Sequence, residues 1–233
     1  MDKLHRRELK SDHFVEEVGH SVEYVAEHKR QFARYGLIAI VVLSLAGGGY
    51  FYVSKQRAER AAALFKAMTI QEAQFGPPQQ GVTPEYATKA ARDLAAAKAF
   101  QEVVAKYGSS DEVMTAKYFL GVMAANDAKW GEAEKLLREA SGAGSDAVKS
   151  LAKFSLAQVY AAQNRVGDAE KLLRDLAANP TAYVSKEQAD IALGKLLMAS
   201  KPAEAKKLLE PLRTSRPAVS RAAVTALSGN AGN

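Results

Sequence analysis

Hydrophobic and polar positions along this chain change rhythm three times. Between residues 12 and 34, Val15, Val18, Val22, Val25 and Phe32 recur at three- and four-residue spacing, with Glu16, Glu17, Glu23, Glu27 and Arg30 on the other side. That spacing predicts an amphipathic helix. It could serve as a coiled-coil seam, an interfacial helix, a docking helix or a solvated extension of the apolar segment after it. From Gly36 to Val53 the chain is apolar but for Ser44 and the tyrosines, and no charge interrupts the run. With Tyr35 added, the segment 35–53 would rise about 28 Å as a helix, against a hydrocarbon core of about 30 Å. Tyr35 at one end and Tyr50, Phe51 and Tyr52 at the other fit the two interfacial belts. Ser44-Leu45-Ala46 has the small-x-small form of a cleavage site. A long preceding segment of mixed charge, and an apolar run that continues past the site, favour a retained transmembrane helix.

Beyond residue 54 the rhythm becomes that of helices in series. Ala116-Lys117-Tyr118-Phe119-Leu120-Gly121 aligns with Ala152-Lys153-Phe154-Ser155-Leu156-Ala157 and with Ala189-Asp190-Ile191-Ala192-Leu193-Gly194. A second block follows each: Gly131-Glu132-Ala133 through Leu137, Gly167-Asp168-Ala169 through Leu173, and Ala203-Glu204-Ala205 through Leu209. Each period closes on a breaker, at Gly142 and Gly144, at Asn179-Pro180 and at Arg216-Pro217. Each therefore reads as helix, turn, helix, and one such pair cannot bury its apolar face alone, so neighbours must stack. Gly121, Ala157 and Gly194, with Ala133, Ala169 and Ala205, would allow close approach within a pair. Leu120, Leu156 and Leu193, with Leu137, Leu173 and Leu209, would fill the space between. An earlier, imperfect unit is expected from a helix near 55–75, continuous with the membrane span, and a second helix holding Ala96, Phe100 and Val103 and ending at Gly108. Gly76 to Gly81 would break the chain between them. A helix near 218–227 would cap the array, leaving 228–233 as a disordered tail.

These blocks resemble the tetratricopeptide repeat. Leu120-Gly121, Leu156-Ala157 and Leu193-Gly194 match its Leu-Gly pair, Tyr160 its Tyr, Ala133, Ala169 and Ala205 its second-helix Ala, and Pro180 and Pro217 its closing Pro. Its early Trp is replaced by Lys117, Lys153 and Asp190. The fold implied is all-α: one N-terminal transmembrane helix (35–53), preceded by an amphipathic segment (1–34), then an α-solenoid of tetratricopeptide-like helix pairs (54–227). On the family's pattern the first helices line the concave side. Tyr118, Phe154 and Ile191, with Val122, Gln158 and Lys195 one turn later, would form a protein-binding groove for an extended or unstructured apolar segment. Burial of the same side chains between helices is the competing reading for Tyr118 and Phe154.

Composition narrows the function. The chain is rich in Ala, Leu, Lys and Glu, a helix-favouring set, and has a single Trp, Trp130, and no cysteine. The latter excludes disulfides and thiolate chemistry. The formal net charge of +6 collects beside the apolar segment and at the C-terminal end, whereas residues 67–200 carry 15 basic and 16 acidic residues. That distribution argues against nucleic-acid binding. All four histidines, His5, His13, His20 and His28, precede the apolar run, at spacings that do not converge on a metal ion. No phosphate-binding, metalloprotease or nucleophile-elbow motif occurs, so neither an enzyme, a cofactor nor a small-molecule substrate is expected. Acidic residues sit near basic ones at helical spacing, as in Glu132 and Lys135.

The layout as a whole resembles the YfgM-like family of ancillary subunits of the bacterial SecYEG translocon. That resemblance implies an inner-membrane anchor, a cytoplasmic N-terminus, a periplasmic repeat domain, and contact with the channel, with periplasmic chaperones and with unfolded clients. Lys29, Arg30 and Arg34 before the span are nearly balanced by Lys55, Arg57, Arg60 and Lys66 after it, a count that slightly disfavours an outward C-terminus and does not by itself set the orientation. A scaffold for cell-division or envelope assembly, with no unfolded client, is the alternative.

Overall fold

A computed structural model describes residues 29–77 and 84–228. The valine stripe before the membrane segment, the four histidines and the tail from residue 229 lie outside the described residues. The described chain is helical: α1 (Lys29–Glu72), α2 (Lys89–Tyr107), α3 (Asp111–Asn126), α4 (Trp130–Ala143), α5 (Asp146–Ala162), α6 (Val166–Ala178), α7 (Lys186–Leu197), α8 (Pro202–Leu209), a 3₁₀ turn (Glu210–Thr214) and α9 (Pro217–Leu227). It divides into two compact units, Met1–Ala58 and Glu59–Asn233.

In the first unit the described residues are helical throughout. They hold an 18-residue window of mean hydropathy 1.9, none of it buried. Leu43, Leu45, Tyr50 and Phe51 are each more than two-thirds exposed. A helix of this length and apolarity is able to cross a bilayer. Residue 54, where the sequence pattern changes, does not interrupt α1.

In the second unit each helix packs on the next from α2 to α8, and α9 folds back onto α7 and α8. The end of α1 joins the first core through Ala67, fully buried, with Ala63, Leu64 and Met68 beside it. Ala96, Phe100 and Val103 of α2 are buried in the same core. The chain between α1 and α2 is pinned at its base. Gly76 N–H donates to the Tyr86 carbonyl (3.0 Å), and Tyr86 N–H donates to that of Gln74 (3.3 Å).

Serine decides where the first helix of each pair begins. Ser110, Ser145 and Ser185 cap α3, α5 and α7, their side chains accepting from the backbone N–H three residues on. Such caps are each worth about 1 kcal/mol. The second helices α4, α6 and α8 have no side-chain cap, and α4 and α6 follow tight turns. Ala128 (φ 56°) and Asn164 (φ 60°) adopt left-handed backbone. Lys129 N–H and Arg165 N–H reach back to the carbonyls of Ala124 and Tyr160, both at 2.8 Å, a Schellman closure of the helix end.

Within each pair the repeat residues meet. Ala133, Ala169 and Ala205 are fully buried, and Leu137, Leu173 and Leu209 nearly or fully so. A Cβ on Gly121 would stand 2.8 Å from Leu137 Cγ, and one on Gly194 2.6 Å from Leu209 Cγ. Leu156 and Leu193 are buried; Leu120 is partly so. Fully burying a leucine stabilises the fold by about 1.5–3 kcal/mol, so this leucine ladder is a main source of cohesion. Pro211 has no N–H to continue the α8 ladder, and the chain tightens there into the 3₁₀ turn, which still buries Leu212.

Candidate protein-binding groove

Two helical stripes form the walls of a groove. On α5, Phe154, Gln158 and Ala161 recur at four- and three-residue spacing; on α7, Gln188, Ile191, Ala192 and Lys195 do the same. Residues so spaced share one helix face. Leu173 of α6 contributes to the floor, and Ala222 of α9 closes one side. The cavity measures about 490 Å³, and its walls are mainly apolar. Gln158, Gln188 and Lys195, all exposed, supply its polar groups. A concave apolar site with a few convergent polar groups is the usual form of a binding pocket.

Of the six residues expected at the groove, the structure brings Phe154, Gln158, Ile191 and Lys195 together. Tyr118 and Val122 are not among its lining residues. Both are partly buried against the first core, where Tyr118 meets Phe119 edge to face (centroids 5.3 Å) and Phe119 stacks on Phe100 (5.0 Å). Phe154 has two roles, since it also packs against the second and third cores. Ala222 comes from outside the repeat pattern, and periodicity alone gives no signal for it.

The lysines that replace the family's early Trp form ion pairs inside their helix pairs. Lys117 Nζ donates to Glu139 (2.6 Å) and Lys153 Nζ to Asp175 (2.7 Å), each across 22 residues. The hydrogen bond from Lys153 holds the Asp175 carboxyl below the usual carboxylate range. Asp190, nearly buried, accepts from Lys186 at 2.6 Å.

A second set of ion pairs ties one helix pair to the next. Glu134 of α4 accepts from Arg138 (2.6 Å) and from Arg165 (2.8 Å), the residue that opens α6. Thirty-six residues on, Glu170 of α6 accepts from Arg174 (2.7 Å) and from Lys201 (2.9 Å), which opens α8. Burial acts to raise the Glu134 carboxyl, but hydrogen bonds from Arg138 and Arg165 outweigh it and leave it below the usual range. Arg174 and Lys201 lower Glu170 in the same way. Tyr160 lies beneath this network. Its ring is 4.1 Å from the Arg165 guanidinium carbon, and its hydroxyl is raised by burial and then by Glu134. Glu132 and Lys135, which lie at helical spacing, are not paired among the described ion pairs, which on α4 run through Glu134 and Glu139.

The family model of the tetratricopeptide repeat-like domain matches residues 29–211. The chain belongs to that family. No curated protein and no solved structure matches it. Repeat domains of this kind stack helix pairs into extended concave surfaces that serve as protein-interaction scaffolds. The match takes in all of α1 and runs through α8 into the 3₁₀ turn, leaving α9 beyond it. Ala222, which lines the groove from α9, thus lies outside the matched residues.

Proposed function

We propose that this protein is a membrane-anchored, non-catalytic scaffold whose groove holds a segment of another polypeptide. The observation that carries the reading is the apolar groove between α5 and α7, open to solvent and lined by Phe154, Ile191 and Leu173. Segment 35–53 crosses the bacterial inner membrane once, with the N-terminus cytoplasmic and the repeat-like domain in the periplasm. The exposed apolar surface of α1 supports the anchor, because a soluble protein rarely leaves so large a contiguous patch uncovered.

In this reading the protein is an ancillary subunit of the Sec translocon. It stands beside SecYEG and passes emerging, unfolded clients to periplasmic chaperones. An anchor of one span keeps the groove near the channel exit, where apolar segments are transiently exposed. Purification of the tagged full-length protein from detergent-solubilised membranes tests this. Co-purification of SecYEG subunits and periplasmic chaperones is the expected result. Recovery of envelope-assembly or division proteins alone would contradict it and favour an assembly scaffold.

A further inference from the structure

We infer that the groove selects extended apolar segments bearing an acidic side chain at the end lying over Lys195. The inference rests on the groove reading above and deepens it by naming the class of segment.

Three observations carry it. Among the described residues lining the groove, Lys195 is the one that carries a charge. It is exposed, and no described ion pair includes it, whereas Lys117 and Lys153, which align with Asp190, are matched by Glu139 and Asp175. An ammonium in an apolar groove without its own counter-ion favours a carboxylate from a ligand. The chain after Lys195 has the same bias: residues 201–233, from which α9 contributes Ala222 to the groove, hold six basic and two acidic residues.

The remaining polar groups suit a backbone. No described hydrogen bond engages the side chain of Gln158 or Gln188, and both are exposed. Each carboxamide offers a donor and an acceptor, the pair that an extended peptide's own N–H and C=O require. Gln188 and Lys195 are seven residues apart on α7, or about 10 Å along the helix. That distance is covered by about three extended residues. A short apolar stretch could therefore place its backbone at Gln188 and its flanking carboxylate at Lys195.

The test uses the full chain in nanodiscs of zwitterionic lipid, at low salt. Fluorescence anisotropy is followed with N-acetylated, C-amidated peptides that share one Leu/Val segment and end in two Asp, two Asn or two Lys residues. The Asp peptide is expected to bind about two- to fivefold more tightly than the Lys peptide, the range of an exposed ion pair. Lys195→Glu should reverse the order, while Lys171→Glu on α6, outside the groove, should leave it unchanged. Ile191→Asp should abolish binding of all three. Binding that is lost in Ile191→Asp but indifferent to flanking charge would overturn the acidic preference and leave the groove standing. If no peptide shows binding sensitive to Ile191→Asp, both readings fall.

Discussion

Gly121 of α3 faces Leu137 of α4 so closely that a Cβ on the glycine would lie 2.8 Å from the leucine Cγ. The same contact recurs between Gly194 and Leu209. In the middle pair Ala157 takes the glycine's place, with Leu173 in the same core, so this packing tolerates a methyl when the leucine adjusts. Gly121→Ala should therefore stay within about 1 kcal/mol of the parent, since its helix-propensity gain offsets the crowding. Gly121→Val and Gly194→Val should each destabilise by about 1–3 kcal/mol through overpacking. Denaturant unfolding of the three variants checks the order.

The turn at Ala128 offers the opposite outcome. A side chain at φ 56° is strained by about 1 kcal/mol or more, partly offset by the entropy that glycine loses on folding. Ala128→Gly should raise stability by up to about 1 kcal/mol. Asn164, at φ 60°, tolerates that conformation better, so Asn164→Gly should change little. Melting temperatures of the two variants measure the difference.

Acid should loosen the links between helix pairs. Glu134 and Glu170 have folded-state pKa values below their ordinary value of 4.5. Their contribution is thus present above the unfolded value and is lost as pH falls through the folded one. Stability should be steady near neutrality and decline below about pH 4.5. In the double variant Glu134→Gln and Glu170→Gln, stability at pH 7 should be lower and the acid-side slope shallower. A slope identical to the parent's would show that other carboxylates carry the acid response.

Much of the fold is legible in one sequence because a repeat states its own register. Gly121 with Leu137, Gly194 with Leu209, and the buried Ala133, Ala169 and Ala205 all follow from a step of about 36 residues. The same step does not separate the two readings of Tyr118, groove or core, for a physical reason. It equates Tyr118 with Phe154, but not the neighbours that cover it. Phe119 and Phe100 draw the Tyr118 region into the first core, and the α1–α2 unit supplying Phe100 carries no clear repeat motif. The links that Glu134 and Glu170 make to the next helix pair are hidden by distance, since Arg165 and Lys201 lie 31 residues away. Their signal is nevertheless present, because Glu134/Glu170, Arg138/Arg174 and Arg165/Lys201 recur 36 apart.

The packing also dictates which variants test the groove cleanly. Tyr118→Ala and Phe154→Ala remove rings that support cores, so both should lower stability as well as any capture. Ile191 is only partly buried, and Ile191→Asp should remove binding while helical circular dichroism is retained.

The anchor makes a separate prediction. The full chain should stay in membranes through high salt and alkaline carbonate, and deletion of residues 36–53 should release it. A C-terminal reporter active only outside the cytoplasm should be active on the full chain.

The central claim is that the α5–α7 groove grips polypeptide, and a photocrosslinker placed at single positions tests it most directly. With a secretory chain stalled in the channel, a probe at Gln158, on the groove rim, should give an adduct with that chain. A probe at Lys171, exposed on α6 outside the lining, should not. Equal adducts at both positions, or none at Gln158, would contradict the account.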